Sequence, residues 1–247
     1  MGRCAPFTSV VLATLSAAIL SMGPVLAAEG AASSGPYFRV FGGYSLIDEP
    51  SIQGVNVTNG STGNGTGRGA MQTDNGPWGG GAGGYRWGAF RLEAMGSYES
   101  HGLKSFDSPQ FTYRDSGGTR RTDLNAHPSL DGNLRIVTGF LNGVLDVKFG
   151  SAFEPFVGGG IGFANVRMND VTGVSNGRRF TLTDGSDTVL AFQALVGFAY
   201  RFTPTIAAEA GYRFLTLNDP SFTDSLGGSF DLGIESHQVW VGMRMDF

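Results

Sequence analysis

The stretch SHQVWVGMRMDF, residues 236–247, decides the fold because its side chains alternate strictly between two kinds. The apolar set is Val239, Val241, Met243, Met245 and Phe247. The set between them is Gln238, Trp240, Gly242, Arg244 and Asp246. Successive side chains of a β-strand point to opposite faces, so this segment predicts a strand with one apolar face and one face that carries charge.

The same alternation recurs along most of the chain. We predict strands near 36–48, 76–86, 89–101, 133–148, 154–167, 188–202, 205–217 and 234–247. The connections alternate in length: long ones fall at about 49–75, 102–132, 168–187 and 218–233, and shorter ones at Trp87-Gly88, 149–153 and Thr203-Pro204. Long loops at one end and tight turns at the other are typical of transmembrane barrels of the bacterial outer membrane.

A closed barrel follows if the apolar faces contact lipid. Strands can span a bilayer only when every backbone group is paired within the protein, which requires closure. We therefore predict an all-β fold, a closed antiparallel up-and-down transmembrane β-barrel of about eight strands, with long extracellular loops and tight periplasmic turns. Hairpins hidden in 49–75 or 102–132 would raise the number to ten or twelve. An exported soluble barrel or sandwich is the alternative, because alternation alone does not say which face is inside.

Two further features favour the membrane. The predicted strands run for about 11–16 residues, beyond the five or six usual in globular sheets and enough to cross a bilayer at a tilt. Aromatic residues also concentrate near strand ends, where interfacial girdles are expected. These are Tyr37, Phe38, Tyr98, Tyr200, Phe202, Tyr212 and Phe214.

The N-terminus has the pattern of a cleavable export signal. Arg3 precedes an apolar stretch from Val10 to Met22, and small residues follow around Ala27. The apolar stretch is shorter than the ~20 residues of a spanning helix. We predict a signal peptide over 1–27, cleaved near Ala27, a short lead over 28–35 and one barrel domain over 36–247.

Composition excludes several functions. The formal net charge is −4, which argues against a nucleic-acid partner. The one cysteine, Cys4, lies in the predicted signal, so we expect neither disulfides nor a cysteine-ligated metal. The glycine-rich stretches 63–69 and 158–162 are not followed by a helical pattern, so we interpret the first as a loop and the second as a strand with small inward residues.

Several segments resemble a known family. They are FRLEAMGSYES (90–100), NGVLDV (142–147), EPFVGGGIGFA (154–164), FQALVGFAYRF (192–202), AAEAGYRFL (207–215) and the quoted final segment. They look like strands of the eight-stranded outer-membrane surface proteins that include the opacity proteins and the transmembrane half of outer membrane protein A. The resemblance implies location in the bacterial outer membrane, with lipid and lipopolysaccharide as partners. It also implies a C-terminal signal for the barrel-assembly machinery, formed here by Val241, Met243, Met245 and Phe247.

Charged residues on the inward parity are candidates for a structural network in the lumen, because an eight-stranded interior is filled by side chains and buried charges must be paired. Within single strands we expect Glu209 to pair with Arg213, and Arg91 with Glu93. The network is predicted to comprise Arg39, Arg91, Glu93, Glu99, Asp146, Lys148, Arg201, Glu209, Arg213 and Arg244.

We predict no catalytic, cofactor or metal site. Glu235, Ser236 and His237 superficially suggest an esterase cluster, but adjacent residues of a strand point to opposite faces. His101 and His127 flank a long connection that offers no metal-ligand spacing. The favoured hypothesis is a non-enzymatic surface scaffold whose loops serve envelope integrity or surface interaction. A small-solute channel is the alternative, and a lipid-modifying enzyme a further one.

Overall fold

The computed structural model describes residues 34–47, 51–56, 66–114, 117–147, 152–223 and 229–247. The predicted signal peptide lies outside these residues. The described residues contain no helix that is long and apolar enough to span a membrane. Their regular structure is β1 (Gly35–Ile47), β2 (Ser51–Asn56), β3 (Thr66–Thr73), β4 (Gly76–Trp87), β5 (Phe90–Arg114), β6 (Arg120–Ala126), β7 (Ser129–Asp146), β8 (Phe153–Ser175), β9 (Arg178–Arg201), β10 (Ile206–Leu217), β11 (Ser221–Thr223), β12 (Ser229–Gly233) and β13 (Glu235–Asp246).

Eight of these strands close into an antiparallel barrel, as predicted. The ring runs β1, β4, β5, β7, β8, β9, β10, β13 and back to β1. Closure depends on β1, which pairs with its neighbour β4 and also with β13 from the far end of the chain. Tyr37 lies opposite Asp246, and the register continues without a shift to Ile47 opposite Ser236.

The long connections differ from the prediction, because strands continue into them. We expected a loop over 168–187, but β8 and β9 extend to a two-residue turn at Asn176-Gly177, where φ is 48° and 74°. Beyond the apolar outer surface most outward positions become polar, so the alternation inverts and the apolar outward face that identified the strands is lost. The inward positions there are apolar, and Val166, Met168 and Phe180 are buried.

The extra hairpins do not enlarge the ring. β6 pairs with β5, while β3 pairs with β5 beyond the barrel and carries β2, β12 and β11 in turn. These strands extend the sheet at one end of the barrel. This end bears the long connections, and we call it the loop end. Residues 66–69 of the first glycine-rich stretch lie in β3, so the expectation of a loop was wrong there. Residues 63–65 lie outside the described residues.

The outer surface carries an apolar belt between two sets of exposed aromatic residues. Near the opposite end of the barrel, the turn end, stand Tyr85, Trp87, Phe90, Phe153, Tyr200 and Phe202. Nearer the loop end stand Tyr44, Tyr98 and Tyr212. The assignment of Tyr37 to this surface was wrong, because its side chain points inward and is 3% exposed.

Glycines on the inward face of β8 make room for side chains on β7. A Cβ atom at Gly158 would come within 2.8 Å of Val144 Cγ2, and one at Gly162 would collide with the backbone of Gly139 and Phe140. A Cβ atom at Gly160 would collide with the side chain of Asn142. This agrees with the interpretation of 158–162 as a strand with small inward residues.

Candidate functional site

The barrel lumen collects most of the predicted charged residues. Eight of the ten predicted members are buried, Arg201 is partly exposed and Lys148 lies outside the described residues. They reach the lumen because each occupies the inward parity of its strand. The buried members are Arg39, Arg91, Glu93, Glu99, Asp146, Glu209, Arg213 and Arg244.

Glu93 is a highly coordinated carboxylate of the lumen. Arg39 donates to it from Nη2 at 2.7 Å and from Nε at 3.1 Å. The Tyr37 hydroxyl donates at 2.6 Å, and Asn142 Nδ2 at 2.9 Å. Four donor atoms from two strands, β1 and β7, thus converge on one buried charge, which offsets the cost of removing that charge from water.

Glu209 connects three arginines from other strands. Its Oε1 atom lies 2.6 Å from Arg244 Nη1 and 3.6 Å from Arg91 Nη1, and its Oε2 atom lies 3.5 Å from Arg39 Nη1. The expected partner Arg213 is not among them. Four residues along a strand span about 13 Å, so a neighbouring strand brings charges closer than the same strand does.

Arg213 is stabilised by aromatic rings instead of a carboxylate. Its guanidinium carbon lies 5.0 Å from the ring centre of Trp78 and 5.3 Å from that of Phe140. Nη1 donates to Ser97 Oγ at 3.0 Å. A guanidinium over an aromatic face is attracted by the negative charge of that face. The expected pairing of Arg91 with Glu93 was also wrong, since Arg91 contacts Asp146 at 2.8 Å.

A second ion-pair cluster closes the turn end and includes residues that we missed. Arg86 lies 2.9 Å from Asp146, and Arg201 bridges Glu154 at 3.1 Å and Asp246 at 2.8 Å. The position of each missed residue on its strand indicated that it points inward. Arg86 lies between the outward Tyr85 and Trp87. Glu154 shares a face with Phe156, and Asp246 shares a face with Arg244. The missed residues are Tyr37, Arg86, Glu154 and Asp246.

Above the ion pairs the lumen is filled by aromatic side chains. Phe41 lies 5.3 Å from Trp78 and 5.8 Å from Trp240 between ring centres, and Trp240 lies 6.0 Å from Phe156. All four residues are at most 7% exposed. This aromatic layer occupies the middle of the lumen, between the charged turn end and the loop end.

A polar layer follows around Glu99. Its carboxylate accepts hydrogen bonds from Ser45 Oγ at 2.9 Å and from Gln238 Nε2 at 2.8 Å, and lies 3.2 Å from His101 Nε2. These neighbours hold the carboxylate on several sides. We therefore interpret Glu99 as a structural residue, like the ion pairs nearer the turn end.

The loop end of the lumen is apolar. Leu134, Ile136, Val166, Met168, Leu215 and Ile234 are at most 1% exposed and form part of one hydrophobic core. Together with the layers below, this apolar cap fills the described lumen with side chains along its length.

Glu235, Ser236 and His237 do not assemble into an esterase cluster. Ser236 points into the lumen, whereas His237 points outward and contacts the rings of Tyr212 and Phe214, so the two cannot act as nucleophile and base. His127 lies at the surface with Nδ1 2.7 Å from Asp107 Oδ1. Among the described residues, no group of three or more His, Cys, Asp or Glu could hold a metal ion.

The predicted assembly residues all lie on the outer surface. Val241, Met243, Met245 and Phe247 are each more than two-fifths exposed, and Phe247 is the most exposed at 71%. The Phe247 backbone N–H donates to the Pro36 carbonyl at 3.0 Å, which holds the end of the chain against β1. The geometry thus presents this segment outward at the turn end.

Comparison with known proteins gives a consistent result. The family model described as "Outer membrane protein beta-barrel domain" matches residues 15–243. The outer membrane protein PagN of Salmonella typhimurium is 29% identical over 98 residues, which are 39% of this chain and 41% of that protein. The match therefore spans about two fifths of the curated relative, and that protein's activity does not transfer with it.

Solved structures share the fold at low identity. Neisserial surface protein A gives a TM-score of 0.50 at 14% identity, over 87% of this chain and all of that one. OprG of Pseudomonas aeruginosa gives 0.52 at 14%, over 87% and 97%. The outer membrane protease OmpT of Escherichia coli gives 0.50 at 10%, over 90% and 100%. At such identities the likeness concerns the fold alone.

We expect Glu93→Ala to lower the free energy of unfolding by ~3–5 kcal/mol, because it leaves Arg39 buried without its main carboxylate. The double variant Arg39→Met with Glu93→Leu is expected to cost far less, since it removes both charges. Urea-induced unfolding of the protein in detergent micelles measures the free energy of unfolding of both variants. An equal loss in the single and double variants would contradict the pairing.

We expect Phe247→Ala to cost only about 1–2 kcal/mol in detergent, because the ring buries only part of its surface. In cells the same variant should accumulate in the periplasm, since it alters the proposed assembly signal. Phe202→Ala is the matched control, because Phe202 is a 62% exposed aromatic at the same end of the barrel. Normal membrane levels of the Phe247 variant would refute the assembly role.

Proposed function

The chain belongs to the outer membrane protein β-barrel domain family, and from this premise we propose that it is a plugged surface scaffold rather than a pore or an enzyme. It is a protein of the bacterial outer membrane, with the turn end in the periplasm and the loop end outside. The observation that carries the proposal is the filled lumen, in which ion pairs, aromatic rings and an apolar cap follow one another from end to end.

The part of the barrel that projects outside favours a role in surface interaction. A tilted transmembrane strand needs only about 9–11 residues, whereas β8 has 23 and β9 has 24. The excess residues build an extracellular sheet with its own buried side chains, among them Met168, Val171 and Phe180. Lipid does not require such a structure. A rigid base with exposed tips is how many folds present binding residues.

The small-solute channel remains the alternative, and the lumen argues against it. The aromatic layer formed by Phe41, Trp78, Phe156 and Trp240 stands across the path between two polar regions. Barrels that hold an aqueous pore use about 16–18 strands, and eight leave an interior that side chains fill. A serine, a histidine and an acid do meet around Glu99, where Ser45 Oγ lies at 2.9 Å and His101 Nε2 at 3.2 Å, but all three residues are at most 3% exposed. The lipid-modifying enzyme is disfavoured because a substrate has no access to this buried cluster.

The partners at the surface are part of the proposal. We infer that the chain reaches the membrane through the barrel-assembly machinery, and that its extracellular tips contact a host surface or another cell envelope. The exposed turn at Asn176-Gly177 and the nearby Arg179 form the tip of the β8–β9 hairpin. No cofactor is needed for this role.

We expect the refolded protein to give no discrete conductance steps in a planar lipid bilayer. A variant with Phe41, Trp78 and Trp240 changed to alanine should conduct, because it empties the aromatic layer, and it shows that the assay detects an open lumen. Stable channels in the unaltered protein would refute the plugged scaffold and favour the small-solute channel.

We expect removal of the β8–β9 tip to abolish surface binding while leaving the barrel intact. Met168 and Gly185 are opposite one another, so an Asn-Gly turn joining them replaces 169–184 with little change below. Non-adherent bacteria displaying either form are tested for adhesion to cultured animal cells and for self-aggregation. Retention of the compact form on unheated gels verifies the barrel. Equal binding by both forms, or binding by neither, would contradict a tip-mediated role.

A further inference from the structure

Two arginines lie side by side on the outer surface of the barrel. Arg135 on β7 and Arg167 on β8 are direct partners in the antiparallel register, and both are exposed. Directly opposite residues have Cβ atoms about 5 Å apart, and like charges in such positions destabilise a sheet. An anion bound between the two arginines would remove this repulsion.

No protein carboxylate supplies that anion within the described parts of the chain. Neither arginine has an ion pair there, whereas the exposed Lys104 contacts Asp74. Their other cross-strand neighbours are neutral: Ser100 lies opposite Arg135, and Ser186 lies opposite Arg167. The two guanidinium groups thus share a surface with hydroxyl groups, and the exposed Asp184, two residues from Ser186 on β9, makes no ion pair with either arginine among the described residues.

The pair lies directly above the apolar belt. On the turn-end side of the belt Phe90 is opposite Leu145, and on the loop-end side Tyr98 is opposite Val137. Eight residues at about 3.3 Å each and a tilt of about 40° give a height of ~20 Å, close to the apolar band of such barrels. The next outward residue of β7 after Val137 is Arg135. This is the level of the lipid headgroups in the outer leaflet.

An apolar strip continues below the two arginines on the same two strands. Its members are Val137 and Leu141 on β7, and Ile161 and Phe163 on β8, each at least half exposed. A molecule bound by the arginines would therefore lie with its anionic group on the pair and its hydrocarbon along this strip. A phosphorylated lipid has both the anionic group and the hydrocarbon chains, whereas a soluble anion has only the anionic group.

We propose that Arg135 and Arg167 bind a phosphate group of lipid A, the phosphorylated anchor of lipopolysaccharide, whose acyl chains lie along the strip of Val137, Leu141, Ile161 and Phe163. Guanidinium groups match phosphate oxygens with paired, charge-assisted hydrogen bonds. A single phosphate between two arginines also converts their repulsion into a shared attraction. This site is separate from the extracellular tips and does not depend on their partner.

Binding is tested with purified lipid A and the full protein refolded in zwitterionic micelles containing EDTA, so that divalent cations do not bridge phosphates. We compare Arg135→Gln, Arg167→Gln and the double variant with the matched control Arg179→Gln, which removes one exposed positive charge near the hairpin tip. At roughly 1 kcal/mol for each arginine near an anionic surface, the double variant should bind bisphosphorylated lipid A at least about tenfold more weakly. The control should bind as the unaltered protein does.

Two further arms identify the ligand group. Dephosphorylated lipid A should bind the unaltered protein and the double variant equally weakly, because only its acyl chains remain to make contact. Inorganic phosphate at the same concentration should not displace lipid A, because it lacks those chains. Equal affinity for phosphorylated and dephosphorylated lipid A, or an equal loss in Arg179→Gln, would overturn the proposal.

Thermal unfolding gives an independent test, because without lipid A the loss of the two arginines should not lower stability. In micelles without lipid A, the double variant should unfold at a temperature no lower than the unaltered protein, because the repulsion between the two arginines is gone. Added lipid A should then raise the midpoint of the unaltered protein more than that of the variant. A double variant that is less stable without lipid A would show that the arginines have a protein partner, and the proposal would fail.

Discussion

The pairing of the first barrel strand with the last is the constraint on which the rest of this structure depends. In hydrocarbon a free strand edge is too costly to exist, since no water is available for its backbone groups. The pairing of β1 with β13 removes both edges at once and fixes the number of strands at eight. That number then sets the width of the lumen, and the width decides that side chains rather than water fill it.

In a lumen of this width, inward charged side chains are buried and must be paired with one another. Glu93 and Glu209 are each reached by arginines from other strands, and Arg213 lies between aromatic rings. The strand tilt brings residues together that are far apart in sequence, as with Glu209 and Arg244. Such contacts fill the interior with paired side chains, which is the property that the proposed surface scaffold requires and a channel does not.

The polarity of the outer surface changes with height along the barrel axis. Between the aromatic sets the outward residues are apolar, and immediately above them Arg135 and Arg167 appear. Higher still the strands continue with polar outward faces around an apolar core. The change from lipid to headgroup to water can thus be followed along β7 and β8, where each outward residue suits the solvent at its own height.

The sequence by itself predicted a closed barrel of about eight strands, because period-two alternation marks the strands, and their length and the alternating lengths of the connections are typical of a transmembrane barrel. It also determined that Glu93, Glu209 and Arg244 point inward, since parity is a local property. It did not reveal that β8 and β9 continue past the membrane, because their outward positions become polar there. Only the tertiary structure decided the partners: Arg39 for Glu93, rings for Arg213, Arg135 beside Arg167. Those contacts depend on register and tilt between strands, which no single strand encodes.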